Sequence, residues 1–289
     1  MLAARPKTLA GAAVPVMIGV SLSVSDSLFY PAGAFSPLAA ALCFLFAFLM
    51  QIDANFVNDL FDYAKGNDDA GKRLGPRRAC AQGWVSIGAM KRAIALTTCA
   101  AAAAGLPLVH YGGMEMIAVG VLCIVFCFLY TTHLSYLGMG DLLVIVFFGI
   151  VPVCVTYYVQ LHTVTTEVFW ASVASGLVID TLLLINNYRD RDNDRDAGKR
   201  TLVVRCGAKA GETLYLVTGC AACLIGIIFV FHRHVLAFIM PLTYLFLHVE
   251  AYKRMRAISH GKALNLCLGE TSRNMLVYGL TVSLGLLLS

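Results

Sequence analysis

Nine apolar runs divide the chain, over residues 9–24, 38–57, 93–109, 114–130, 141–159, 168–187, 213–231, 235–252 and 274–289, with polar residues gathered between them. A helix crossing a bilayer needs about 20 mostly apolar residues. Several runs are shorter, so their spans extend into flanking residues, tilt, or lie partly buried. Pro15, Gly19, Pro152 and Gly226 fall inside runs, where neighbouring helices can cover the backbone they disturb. The pattern predicts an all-α membrane bundle of nine transmembrane helices, read as a single domain over residues 1–289. A ten-span division is the rival.

Composition agrees. Of the 289 residues, 59% are hydrophobic and 13% charged, against roughly 25% charged in soluble domains. The ten cysteines include Cys123, Cys127, Cys154, Cys220 and Cys223 within apolar runs, as small packing residues rather than disulfides or metal ligands. Nothing at the amino terminus reads as a cleaved signal peptide. If the amino terminus is cytoplasmic and the spans alternate, 21 of the 22 Lys and Arg residues face the cytoplasm and only Arg233 does not. That is the bias of the positive-inside rule. It accounts for the net charge of +5 without nucleic acid, through lipid head groups and an anionic substrate.

The polar segments carry the chemistry. DAGKR occurs at 69–73 and again at 196–200, closing IDANFVNDLFDYAKGNDDAGKR and IDTLLLINNYRDRDNDRDAGKR. The same topology puts both copies on the cytoplasmic side. Asp59 and Asp62 are three residues apart, Asp190 and Asp194 four, so on continuing helices each pair shares one side. Like charges so placed repel unless a cation lies between them. Mg²⁺ suits that place, because it takes one or two carboxylates, keeps waters and meets substrate phosphates. Asn55, Asn58, Asn186 and Asn187 add neutral polar groups at the rim. Lys65, Lys72, Arg73, Lys199 and Arg200 follow closely enough to reach phosphate oxygens. Asp53 and Asp180 lie deeper and are cavity groups or structural hydrogen-bond acceptors.

Other chemistries lack their residues. GKR has no GxxxxGK[ST] frame and no preceding strand. The seven histidines are scattered, without a zinc constellation, and there is no GxSxG nucleophile motif. The DGxxAR…GxxxDxxxD signature of CDP-alcohol phosphotransferases is absent. A secondary transporter would explain many spans and buried acids but does not need the repeated Asn/Asp/Lys ensemble.

These residues resemble the UbiA superfamily of intramembrane aromatic prenyltransferases, and within it the branch serving menaquinone synthesis. The resemblance rests on Asn58-Asp59-Leu60-Phe61-Asp62 with Gly66 and Asp68, and on Asp190 through Asp194 with Gly198-Lys199. RPKTL at 5–9, INNYRD at 185–190, KRTLVVRCG at 199–207 and LNLCLGETSRNMLVYG from Leu264 extend it over nearly the whole chain. It implies a nine-helix bundle whose two aspartate-rich motifs face a central cavity. It also implies Mg²⁺ on Asp59, Asp62, Asp190 and Asp194, and substrate contacts from Asn55, Asn58, Lys65, Asp68, Arg73, Asn186, Asn187, Lys199, Arg200, Tyr130 and His133. The expected reaction transfers a polyprenyl group from polyprenyl diphosphate to 1,4-dihydroxy-2-naphthoate, with loss of diphosphate and CO₂. The expected setting is the bacterial inner membrane. One loop departs from the branch: YTTHLSYLGMGD from Tyr130 replaces a YTGGP-type loop. That leaves 4-hydroxybenzoate, haem or another naphthoate open as acceptors, and His133 open as a carboxylate ligand or a helix-end cap.

Overall fold

The computed structural model describes residues 2–5, 8–27, 35–66 and 73–289. Among them run nine long helical stretches: α1 Ala10–Ser27, α2 Pro37–Ala64, α3 Ile87–Gly112, α4 Glu115–Leu134, α5 Gly140–Leu161, α6 Thr166–Asp196, α7 Ala208–Phe231, α8 Val235–Ile258 and α9 Leu264–Leu288. No strand occurs among the described residues. Helices α1 to α8 are each long and apolar enough to cross a membrane. The protein is thus an all-α polytopic membrane bundle with eight candidate spans. Nine spans were expected; the ninth helix, α9, differs from the eight, because its opening turns carry Asn265, Glu270, Thr271, Ser272, Arg273 and Asn274 before the apolar stretch begins.

Local chemistry sets the helix ends. Ser36 caps α2 by accepting the Ala39 N–H at 3.2 Å, with Pro37 in the first turn. Thr165 caps α6 through Val168 N–H, also at 3.2 Å. Both arrangements satisfy donors that a helix start leaves open. At the far ends Gly66 and Gly198 each take φ +74°, the left-handed geometry that stops a helix with little strain in glycine. Helices α2 and α6 therefore continue beyond their apolar runs and carry the aspartates on regular helix.

Helix α6 lies at the centre, packed against α1, α5, α7 and α9, while α2 packs on α1, α3, α4 and α5. The α5–α6 crossing brings Gly149 against Gly176, where a Cβ on Gly149 would stand 2.5 Å from Gly176 Cα. Small residues allow such backbone approach, and dispersion between the helices follows from it. The main core joins Val14, Ile18 and Leu22 of α1 to Tyr157, Val178, Tyr244, Tyr278 and Val282. A second cluster, with Leu184, Tyr188, Tyr215 and Met255, supports the end of α6 that carries the second aspartate motif. Helices α4 and α5 contain π-helical turns at Tyr130–Leu134 and Ile145–Ile150, the latter just before Pro152, which has no N–H to offer.

Candidate active site

A cavity of about 260 Å³ lies between α1, α2, α4, α5 and α6. Its walls are largely apolar, with Phe46, Phe126, Phe147, Phe148, Val151 and Leu183 among them, and its polar groups include Asn55, Asn58, Asn186 and Tyr130. The π turn that begins at Tyr130 interrupts α4 where that ring meets the cavity. Asn58 accepts a 2.8 Å hydrogen bond from Thr131 Oγ1. Asn55 donates to Ala4 O and Thr8 Oγ1, both at 3.0 Å.

The two aspartate clusters meet at one end of the bundle. Lys199 Nζ stands 3.8 Å from Asp62 Oδ1 and 3.8 Å from Asp194 Oδ1. Asp62 also receives the buried Arg78 guanidinium at 3.1 Å. Asp190 is gripped by both arms of Arg189, at 2.8 and 2.5 Å, and Arg189 reaches on to Asn265 Oδ1 at 2.9 Å. Asn265 Nδ2 then donates to Leu74 O at 2.8 Å, tying α6 and α9 to the segment after α2. Asp59 faces elsewhere: its oxygens accept the Ala79 and Cys80 N–H groups at 2.9 and 3.0 Å. The two acids of the first motif share a helix side, yet one holds a loop and the other faces the second motif.

Not every expected residue joins this centre. Lys65 is exposed, donates to Thr132 O at 2.7 Å and lies 3.9 Å over the Tyr136 ring, which Lys199 also approaches at 5.3 Å. Arg73 Nε donates to Pro76 O at 2.8 Å. Arg200 is exposed, and its backbone N–H bonds Tyr136 O at 3.1 Å. His133 is exposed outside the cavity wall, its Nδ1 2.8 Å from Thr132 Oγ1. Asn187 does not line the cavity. Asp68 and Lys72 lie outside the described residues. Asp53 accepts from Thr98 Oγ1 at 2.8 Å, a link between α2 and α3. Asp180 is buried in α6 outside the cavity lining.

Arg78 and Arg189 are the residues that sequence reasoning passed over. Each was one more basic residue beside a membrane edge, and only burial against Asp62 and Asp190 distinguishes it. Arg5, read as part of a motif, proves to line the cavity. Among the described residues no three His, Cys, Asp or Glu side chains gather to hold a metal ion by themselves. What converges is a carboxylate pair, Asp62 and Asp194, around one cation.

Known proteins resemble the chain in sequence and shape. The family model described as "UbiA prenyltransferase family" matches residues 13–266. The 1,4-dihydroxy-2-naphthoate octaprenyltransferase of Haemophilus influenzae is 35% identical over 223 residues, 74% of this chain and 71% of that protein. That of Escherichia coli is 35% identical over 231 residues, 76% and 73% of the two chains. Among solved structures, a UbiA homolog from Aeropyrum pernix superposes with TM-score 0.68 at 18% identity, covering 98% of each chain. A homolog from Archaeoglobus fulgidus bound to GPP and Mg²⁺ gives 0.66 at 13% identity, covering 96% and 97%. At such identities the likeness speaks for the fold. With the family model spanning most of the bundle and relatives above 30% identity over most of its length, the chain belongs to the UbiA prenyltransferase family.

Proposed function

We propose that the protein transfers a polyprenyl group from polyprenyl diphosphate to an aromatic acid of the naphthoate type, 1,4-dihydroxy-2-naphthoate, with release of diphosphate and CO₂. The observation that carries this is the meeting of Asp62 and Asp194 about Lys199, beside an apolar cavity rimmed by asparagines. Relatives with that printed activity, at 35% identity, favour the acceptor.

Mg²⁺ fits the donor set. Two carboxylates from separate helices converge on a point where a lysine ammonium now stands, and Mg²⁺ commonly takes one or two carboxylates with waters and phosphate oxygens. Asp62 and Asp194 would hold it, with Asp190 alongside. Asp59 fixes the segment that carries Arg78. When bound, the ion neutralises charge on the departing diphosphate. Lys199, Arg78, Lys65 and Arg73 supply positive charge at the same end, and Asn55, Asn58 and Asn186 offer donors at the rim. The phenylalanine walls exclude water while the allylic C–O bond breaks. The ring carbon bearing the carboxylate forms the new C–C bond, and departure of CO₂ returns its bonding electrons to the ring.

We read α9 as a ninth span, its polar opening turns covered by Tyr215, which shares a 2.7 Å hydrogen bond with Thr271, and by the Asn265 contacts. The whole chain is then one multi-pass domain of a bacterial inner membrane, with both aspartate-rich segments cytoplasmic. The charge bias supports that orientation. The test is product mass spectrometry on membranes given polyprenyl diphosphate, Mg²⁺ and candidate aromatic acids. A prenylated, decarboxylated naphthoate is the expected product. Transfer only to 4-hydroxybenzoate would overturn the acceptor, and no transfer to any aromatic acid would overturn the activity.

A further inference from the structure

The segment after α4 touches both aspartate motifs. Thr131 Oγ1 donates to Asn58 at 2.8 Å, and the Thr132 carbonyl accepts Lys65 Nζ at 2.7 Å. Further along, Lys65 Nζ lies 3.9 Å over the Tyr136 ring and Lys199 Nζ 5.3 Å from its centroid. An ammonium within about 6 Å of a ring centroid is attracted to the negative face of the ring. One aromatic side chain thus meets a lysine from each motif. It does so away from the cavity wall, which includes Tyr130 but not Tyr136.

The main chain around these groups is fixed. Arg200 N–H donates to Tyr136 O at 3.1 Å, and Lys199 N–H to Asp194 O at 2.8 Å. Gly138, at φ +79°, packs so closely that a Cβ there would collide with the Arg200 carbonyl. The lysine stem is the part free to move, four carbons carrying a point charge. Its nitrogen is 3.8 Å from each of Asp62 and Asp194, beyond the about 2.7–2.9 Å of a charge-assisted hydrogen bond to either. A divalent ion held by those two carboxylates takes the same point, and two cations cannot share it. The displaced ammonium then needs a seat at the same end of the bundle. The Tyr136 ring is within reach.

We propose that Tyr136 is a positioning residue for Lys199: its ring receives the ammonium when a divalent ion enters between Asp62 and Asp194, and keeps it beside the diphosphate. The inference rests on the prenyl-transfer reading. It assigns the altered segment after Tyr130 to the diphosphate rather than to the acceptor. A ring suits this task better than a third carboxylate. Its face attracts the cation without cancelling its charge, so the ammonium stays available to phosphate oxygens.

The test uses the full chain in detergent as wild type, Tyr136→Phe and Tyr136→Leu. Calorimetry measures binding of inorganic diphosphate with Mg²⁺ present. Kinetics give kcat and separate KM values for polyprenyl diphosphate and the aromatic acid. Tyr136→Leu should weaken diphosphate binding about tenfold, equivalent to ~1.4 kcal/mol, and raise the prenyl diphosphate KM in step. The acceptor KM should stay within ~3-fold. Tyr136→Phe keeps the ring face and should bind within ~2-fold of wild type. In a Lys199→Met background the loss from Tyr136→Leu should shrink below ~3-fold, because the two side chains act as one unit. Undiminished binding by Tyr136→Leu, an equal loss in Tyr136→Phe, a rise in the acceptor KM alone, or an unreduced loss beside Lys199→Met overturns the proposal. If Tyr136→Leu does not fold, Tyr136→pentafluorophenylalanine decides. That ring keeps its size but its face is no longer negative, and diphosphate affinity equal to that of Tyr136→Phe refutes the seat. Absence of any transfer by wild type strikes the prenyl-transfer reading instead, and the binding comparison still judges Tyr136.

Discussion

Replacing Asp62 by Asn removes one of the two carboxylates facing each other across Lys199. Its Oδ1 is 3.8 Å from the lysine nitrogen. At an effective dielectric of about 20, unit charges at that distance interact by about 4 kcal/mol. A divalent ion at the same point would lose a larger attraction. If ~3 kcal/mol of it is expressed in the transition state, turnover falls ~10²-fold, at 1.36 kcal/mol per decade. The Mg²⁺ concentration for half-maximal rate should rise as well. Prenyl transfer is followed by product mass spectrometry over a metal titration, with protein quantified by size-exclusion chromatography in detergent. Asp59→Asn is the contrast: it puts an amide NH₂ where one of two backbone N–H groups was accepted, costing ~1–3 kcal/mol of stability. It should lower the thermal midpoint while leaving the Mg²⁺ dependence near that of wild type. Full turnover by Asp62→Asn at limiting Mg²⁺, or undiminished wild-type activity in EDTA, would refute the metal assignment.

Three other outcomes are expected. Cysteines substituted at Trp84 and Ala197, in a chain lacking reactive native cysteines, should both react from the cytoplasmic face of inverted vesicles; labelling from opposite faces would separate the clusters. His234, in the turn between α7 and α8, bonds Glu167 Oε1 at 2.7 Å and Ser25 at 3.0 Å. The Glu167 hydrogen bond, with the Glu167 and Asp26 charges, raises its pKa above 6.5 against the opposing effect of burial. This link therefore stabilises fully below pH 6.5 and weakens as pH rises through the higher folded-state value. The thermal midpoint should drop over that window in wild type, and His234→Gln should flatten the drop; identical profiles would discount the link. Gly149→Ala forces a Cβ against Gly176 Cα, an overpacking worth ~1–3 kcal/mol, and should lower the melting temperature while Gly120→Ala, with open space around it, does not.

Much of this protein is legible from the residues alone, because bilayer solvation acts on each segment separately. Apolar runs mark the helices without knowledge of their neighbours. The aspartate spacings mark helix sides, and local capping by Ser36, Gly66, Thr165 and Gly198 carries those helices far enough for the spacing to hold. The two motifs could be recognised as one chemical theme. Their partners could not. Asp59 and Asp62 look alike in sequence, yet only the packed loop at Ala79 and Cys80 turns the first into a structural acceptor, and only α6 brings Lys199 to the second. Arg78 and Arg189 belong to the positive-inside signal until burial pairs them. The polar start of α9 falls outside the ninth apolar run, because the contacts that cover it come from Tyr215 and Leu74, 56 and 191 positions away. Side-chain charge and periodicity are local quantities, and the chain states them directly. Which charges meet, and which arginine a cavity receives, depends on contacts between residues far apart in the chain, which exist only once the helices have packed.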